Sequence, residues 1–323
     1  MIDLVGKRKL FYLLSALVVL PGLVSLLLPG GLRPGIDFTS GTIMTVRFDQ
    51  PVEQAAVRQA MADVGHPEAI VQGSGDNTFI IRTLPFEQTR GDAASEQVTE
   101  SERQKVADAL QSRFGSVEIL SLDHVSPLIA AEIVRYSILA VAGACLGILA
   151  YLWWAFRRVP HAWRYGACAV LALIHDALVV LGVFSILGRF FAIELDALFI
   201  TAILTVIGFS VHDTIVVFDR IRENVIRHAG DTFEDIVNHS LTQTLARSLN
   251  TSLTVILTLV ALLLFGGVTI RNFVLALLIG ITSGTYSSIF FASMLLVSWH
   301  LGELNWLWPF RGRGLRPAAT AAR

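Results

Sequence analysis

Two histidine–aspartate pairs and one arginine stand in stretches that otherwise leave almost no room for charge. His175-Asp176 falls at the centre of the apolar run 163–187, and His212-Asp213 lies toward the end of the run 196–218. Arg247 begins the run 246–268, beside Ser248, Asn250, Thr251 and Ser252. An acid at mid-bilayer costs on the order of 2.5–3.5 kcal/mol on insertion scales, so each needs a partner or a task. Asp213 precedes Phe218 by a span of roughly 7.5 Å along a helix, and Arg247 stands at a similar level on the next, antiparallel segment. This depth predicts that Asp213 pairs with Arg247. Such a pair is either a static lock on helix register or a carboxylate alternately protonated and paired, which is a proton-responsive switch. Asp176 with His175 reads equally as a relay member or as a packing hydrogen bond. Glu194 and Asp196 fall at an interface and read as solvated.

The elements that hold these residues are long and apolar. The chain of 323 residues is 54% apolar and 16% charged, against about 25% charged in ordinary soluble domains, and its mean hydropathy is +0.62. About 20 apolar residues cross a bilayer as a helix. Six windows qualify: Leu10–Leu28, Tyr136–Phe156, Trp163–Leu187, Asp196–Phe218, Ala246–Val268 and Phe273–Trp299. The first follows Lys7, Arg8 and Lys9 as a secretory leader would. Its length, Pro21 and Pro29, and the lack of a clear small-x-small site after it favour a retained anchor.

Lys and Arg in the short connections set the orientation. Lys7, Arg8, Lys9, Arg157, Arg158, Arg164, Arg220, Arg222, Arg227, Arg247, Arg311, Arg313, Arg316 and Arg323 fall on one side, and Arg189 and Arg271 on the other. Both termini are therefore expected in the cytoplasm and residues 33–128 outside. Trp153, Trp154, Trp163, Trp299, Trp306 and Trp308 fit interfacial anchors. The resulting division is 1–32 for the N-terminus and first helix, 33–128 for an external domain, 129–300 for helices two to six, and 301–323 for a basic tail. A polar helical connection over 219–246 is expected at the cytoplasmic surface.

Between Arg33 and Leu128 there are eight basic and fourteen acidic residues, so the near-neutral net charge averages an acidic domain with a basic membrane region. Thr42–Phe48 alternates, with Met44, Val46 and Phe48 on one face, as a strand does. Pro51 opens a helix with Val52, Ala56, Ala60 and Val64 on one side and Gly65 at its end. Strands over 69–72 and 78–83 flank the turn cluster 73–77. Thr99 and Glu102 make a capping box before a helix carrying Val106, Leu110 and Phe114. A last strand covers 117–122, and the segment 84–98 reads as a polar loop. The order β-α-β-β-α-β is the ferredoxin-like arrangement.

The fold class is thus a polytopic α-helical membrane protein of six transmembrane helices, with an external α+β ferredoxin-like domain between helices 1 and 2. The external domain offers no catalytic set: His66 and His124 are far apart, and no metal-ligand spacing occurs. Cys145 and Cys168 lie in apolar segments and read as packing residues. No Gly-x-x-x-x-Gly-Lys-Ser/Thr loop is present, which argues against ATP as the energy source in this chain. No cofactor, metal or nucleic-acid partner is expected. Gly280 and Gly284, followed by Tyr286, Ser287 and Ser288, read as a close-packing face.

Several of these segments resemble the SecD/SecF family of bacterial protein-export membrane proteins. The similarity begins at Gly35-Ile36-Asp37-Phe38-Thr39-Ser40-Gly41 and continues through 204–210 and the run 213–224. It takes in Gln243–Ser248 and Gly284–Ser288. The resemblance implies an accessory, non-enzymatic subunit of the Sec translocase in the bacterial inner membrane, partnered with SecD and SecYEG. Its other partners would be the exported unfolded polypeptide and membrane lipid. It also implies membership of the resistance-nodulation-division superfamily, with Asp213 and Arg247 matching positions implicated in proton passage. His212 stands where an asparagine is usual, adding a titrating ring beside Asp213, and Ser40 stands where a second glycine is usual. Three other readings stay open: a half-transporter for lipid or small molecules, an intramembrane aspartyl protease using Asp176 and Asp213, and a membrane scaffold without ion coupling.

Overall fold

The structure, a computed structural model, describes residues 3–84, 94–157, 162–227, 230–267 and 270–303. Expectations for Trp306, Trp308, Arg158 and the basic tail lie outside the described residues. The described chain divides into two units, one made of Leu26–Ala144 with Phe184–Ala202, the other of the remainder.

In the first unit the chain leaves α1 (Arg8–Leu27), makes one short turn α2 (Ile36–Thr39), and enters a sheet. The strands are β1 (Gly41–Phe48), β2 (Ile70–Gly73), β3 (Thr78–Thr83) and β4 (Val117–Val125), with α3 (Gln54–Asp63) and α4 (Ala94–Phe114) between them. Their order in space is β2-β3-β1-β4, every neighbouring pair antiparallel. That is the ferredoxin-like pattern expected from the sequence. Met44 pairs with Ile81 on one side and Leu122 on the other, and the β1–β4 register shifts at Thr45/Val46. Met44, Val46 and Phe48 are buried, and they meet Val57, Met61, Val106 and Leu110 from the helices. Each such side chain stabilises the unit by about 1.5–3 kcal/mol relative to exposure, which outweighs any local propensity.

Three local expectations are corrected. The first helix of the domain begins at Gln54 rather than at Pro51, and it buries Val57, Ala60 and Met61. Ala60 of the expected stripe is in the core and Val52 and Val64 pack against it, while Val57 and Met61 widen the buried face. Gly65, at φ +104, ends the helix. The second helix begins at Ala94, so Thr99 and Glu102 lie inside it and cannot cap it. Of the loop expected over 84–98, residues 94–98 are helical and 85–93 lie outside the described residues.

Among the described residues, six helices are long and apolar enough to cross a membrane: Val5–Leu27, Pro127–Ala155, Trp163–Phe191, Ala197–Arg227, Phe233–Phe265 and Arg271–His300. They comprise α1 with a preceding 3-10 turn, α5 (Pro127–Ala155), α6 (Ala162–Phe191), α7 (Ala197–Arg227), α8 (Phe233–Phe265), and a last span in three parts. Those parts are α9 (Arg271–Tyr286), one π-helical turn (Ser287–Phe291) and α10 (Ala292–His300). The connection expected over 219–246 is not a separate element. α7 runs on to Arg227 and α8 already begins at Phe233, where Thr232 caps it by accepting from the Asp235 N–H. Hydrogen bonding along a helix that is already nucleated extends it cheaply past the apolar stretch.

The second unit has its own core of Leu152, Phe156, Tyr165 and Cys168 against Phe218, Ile221, Leu241 and Met294. Helix backbones approach closely in it. A Cβ on Gly22 would stand 2.7 Å from the Gly182 Cα, so α1 and α6 touch where neither has a side chain.

Candidate functional site

Asp176 projects from the middle of α6 and is 1% exposed. Three serines surround it. Ser210 of α7 and Ser287 of the π turn each donate to Oδ2 at 2.6 Å, and Ser283 of α9 donates to Oδ1 at 2.8 Å. His175 adds its Nδ1 to Oδ1 at 3.1 Å. Gly284 makes this possible: a Cβ there would fall 3.1 Å from the Ser210 Cβ and 3.6 Å from Asp176 Oδ2. The π turn belongs to the same place, and such turns often mark functional sites within helices. Beside the cage, Thr214 donates to the Ser288 hydroxyl at 3.0 Å.

The close-packing reading of Gly280 and Gly284 is correct, but the serines behind them are more than packing. Ser287 is a ligand of Asp176, and Ser288 bonds both Thr214 and the Ser210 carbonyl. Serines at 210, 283 and 287 beside an apolar run are the signal that could have found them, since a buried carboxylate must draw donors from somewhere.

Asp213 is built differently. It is 7% exposed on α7, and Ser248 of α8 donates to its Oδ1 at 2.7 Å. Its other oxygen, Oδ2, is buried with no partner, as is the hydroxyl of Ser252 one turn further along α8. The expected partner is elsewhere. Arg247 lies in mid-helix and is exposed on the free chain, and among the described residues no ion pair joins it to Asp213. One residue along a helix turns the side chain by about 100°, so when Ser248 faces α7, Arg247 faces away. His212, likewise next to Asp213, is exposed. The five candidate residues therefore fall into two buried carboxylate sites and two outward-facing basic groups.

The segment Gly35-Ile36-Asp37-Phe38 forms a staple. The Gly35 N–H donates to the Leu195 carbonyl at 2.7 Å, and the Leu195 N–H donates to that of Arg33 at 2.8 Å. A Cβ on Gly35 would lie 2.6 Å from the Leu195 oxygen, so no other residue fits without movement. Asp37 Oδ2 accepts the Ala197 N–H at 2.7 Å, and Asp196 Oδ1 accepts that of Phe199 at 2.9 Å. Two carboxylates thus answer orphan donors at the start of α7, where the helix dipole also favours negative charge. Arg82 of β3 completes the staple with Glu194 at 2.5 Å.

Glu194 and Asp196 are consequently not merely solvated. Burial pushes both carboxyls above their usual range, opposed at Glu194 by Arg82 and Arg33, and at Asp196 chiefly by the Phe199 N–H. Ser40, just after the staple, has φ 64 and ψ 160, a backbone region that is nearly glycine-only. Among the described residues no group of three or more His, Cys, Asp or Glu side chains is placed to hold a metal.

Comparison with known proteins bears on the whole chain. Residues 105–302 match the family described as protein export membrane protein SecD/SecF, C-terminal, and residues 30–52 match the SecD/SecF GG motif. Protein translocase subunit SecF of Thermobaculum terrenum is 56% identical over 323 residues, 99% of this chain and 100% of that one. The subunit of the same description from Anaerolinea thermophila is 43% identical, with the same coverage. Among solved structures, SecDF from Thermus thermophilus, described as a translocon-associated membrane protein, superimposes with a TM-score of 0.78 at 32% identity. That match covers 93% of this chain and 39% of the longer one.

Proposed function

The chain belongs to the SecD/SecF family of protein-export membrane proteins, and on that premise we propose that it converts proton flow into work on polypeptides leaving the Sec translocase. SecD is the proposed partner in the membrane and SecYEG the machine they assist, with the exported chain as substrate. The bias of basic residues in the connections supports cytoplasmic termini and an external ferredoxin-like domain in the bacterial inner membrane.

One observation carries the coupling: the buried, unanswered oxygen of Asp213. A proton arriving on Oδ2 would remove a buried charge and turn an unmet acceptor into a donor. Leaving restores the charge and the need for a cation. Arg247, presented outward on α8, is proposed to supply that charge at the boundary with SecD. Moving one charge through 100 mV releases about 2.3 kcal/mol, enough to bias a two-state movement.

α7 begins in the staple and runs unbroken to Arg227, so the helix holding Asp213 is capped by the side chain of Asp37. We assign to this connection the transmission of movement toward the sheet. Asp176, with donors on both oxygens, is proposed as the fixed point about which α6, α7 and the last span keep register.

The test is gradient-dependent export of a secreted reporter in vesicles containing this chain and its SecD. Asp213→Asn is expected to insert normally and to lose the benefit of the gradient. Export equal to wild type would remove Asp213 from the coupling path.

A further inference from the structure

A cavity of about 420 Å³ lies among α1, α6 and α9, within the roughly 300–1,000 Å³ typical of small-molecule sites. Its walls are aliphatic, from Leu14 and Val18 on α1, Val179 and Val183 on α6, and Ile279 on α9. A lumen of this composition stays dry unless polar groups converge on it.

The hydroxyls at the wall are committed elsewhere. Ser15 donates to the Tyr286 hydroxyl at 3.2 Å, and Tyr286 donates to the Phe11 carbonyl at 2.6 Å. Thr282 donates to the Leu278 carbonyl at 2.7 Å, and Ser283 donates to Asp176. His175 is the exception at this wall. The residue is 7% exposed, and its Nε2 is buried with no partner.

The ring cannot turn freely to find one. Nδ1 is held by Asp176, and the ring face stacks on Phe291 with centroids 4.7 Å apart and planes at 27°. Three serines already donate into Asp176, which makes it the acceptor of the fourth contact too. With Nδ1 donating to this carboxylate, the neutral ring presents the lone pair of Nε2 to the cavity.

We propose that this cavity binds a membrane-dissolved amphiphile with a hydrogen-bond-donating head, a hydroxyl or an amine, whose apolar chain fills the lumen and whose donor meets His175. An anionic head would set like charge beside Asp176, so fatty acid anions and phosphodiesters are poor occupants. The proposal does not rest on the export reading, because it uses only the Nε2 edge of His175 and the apolar wall.

The probe is hexadecan-1-ol bearing a mid-chain diazirine, compared with its methyl ether, on the full chain in lipid nanodiscs. Photolabelled peptides are mapped by mass spectrometry. The alcohol is expected to label α1 near Leu14–Val18 and α9 near Ile279 about fivefold more than the ether does, the effect of one hydrogen bond. His175→Phe should abolish that preference while labelling persists, and Val179→Trp should abolish the labelling. Equal labelling by alcohol and ether on the wild-type chain overturns head-group recognition without recourse to any variant. Labelling that survives both Val179→Trp and Val18→Phe places the probe on the outer surface and overturns the site.

Discussion

Asp176 and Asp213 share a sequence context, each an aspartate after a histidine inside a span, yet their surroundings are opposites. Asp176 has four donors, and the histidine before it is stacked and bonded. Asp213 has Ser248, an oxygen without a hydrogen-bond partner, and an exposed histidine before it. Both cross from one helix to its neighbour, so both affect packing. What separates them is completeness. A fully answered carboxylate gains nothing by taking a proton and loses a network if removed. A half-answered one loses little on removal, and its one open position is where a change of state can occur.

Removal from the complete site should have the largest effect. Asp176→Ala leaves three serine hydroxyls, two of them buried, and His175 without their acceptor and is expected to destabilise the chain by about 3–5 kcal/mol, read by thermal melting in detergent. Asp213→Ala should cost about 1 kcal/mol, the loss of one hydrogen bond. Equal losses would erase the distinction between the two sites.

The two sites also differ in their legibility. Six spans, the strand order and the location of both acids follow from hydropathy, alternation and the cost of charge in lipid, and these are the features that the structure reproduces. The partner of Asp213 did not follow. Depth along the helices puts Arg247 at the right level but says nothing of azimuth, and one residue decides between Ser248 and Arg247. The serine cage of Asp176 was harder still, because three of its members come from different turns of two distant segments. The staple was visible as a motif around Asp37, while its target, the start of α7, depends on a contact across 160 residues.

A smaller effect extends the comparison to Ser40, whose strain is local rather than electrostatic. Ser40→Gly should stabilise the chain by about 1 kcal/mol, since the native backbone there suits glycine. A melting temperature that does not rise would mean the turn relaxes at no cost.

The smallest effect concerns Glu194, an acid that is paired but half-buried. Burial raises its carboxyl above the ordinary glutamate range, so the folded chain favours the protonated form. Its contribution is fully present below the ordinary glutamate range and is lost as pH rises through the raised value. Melting of the wild type should therefore fall slightly across that window, and Glu194→Gln should flatten the slope. A slope of the opposite sign would show that Arg82 outweighs burial, and Glu194 would then resemble a surface pair.

The π turn at Ser287–Phe291 also fixes a phase. An α-helix advances about 100° per residue, so the wider turn offsets the azimuth of α10 from the one α9 would have reached alone. Deleting a single residue within 287–291 would let the last span run on as one regular helix. Everything beyond would then rotate by about that angle, taking Met294 and Leu296 out of their core while α9 kept Ser283 on Asp176. The length of this segment, and not only its side chains, thus holds α10 in its core.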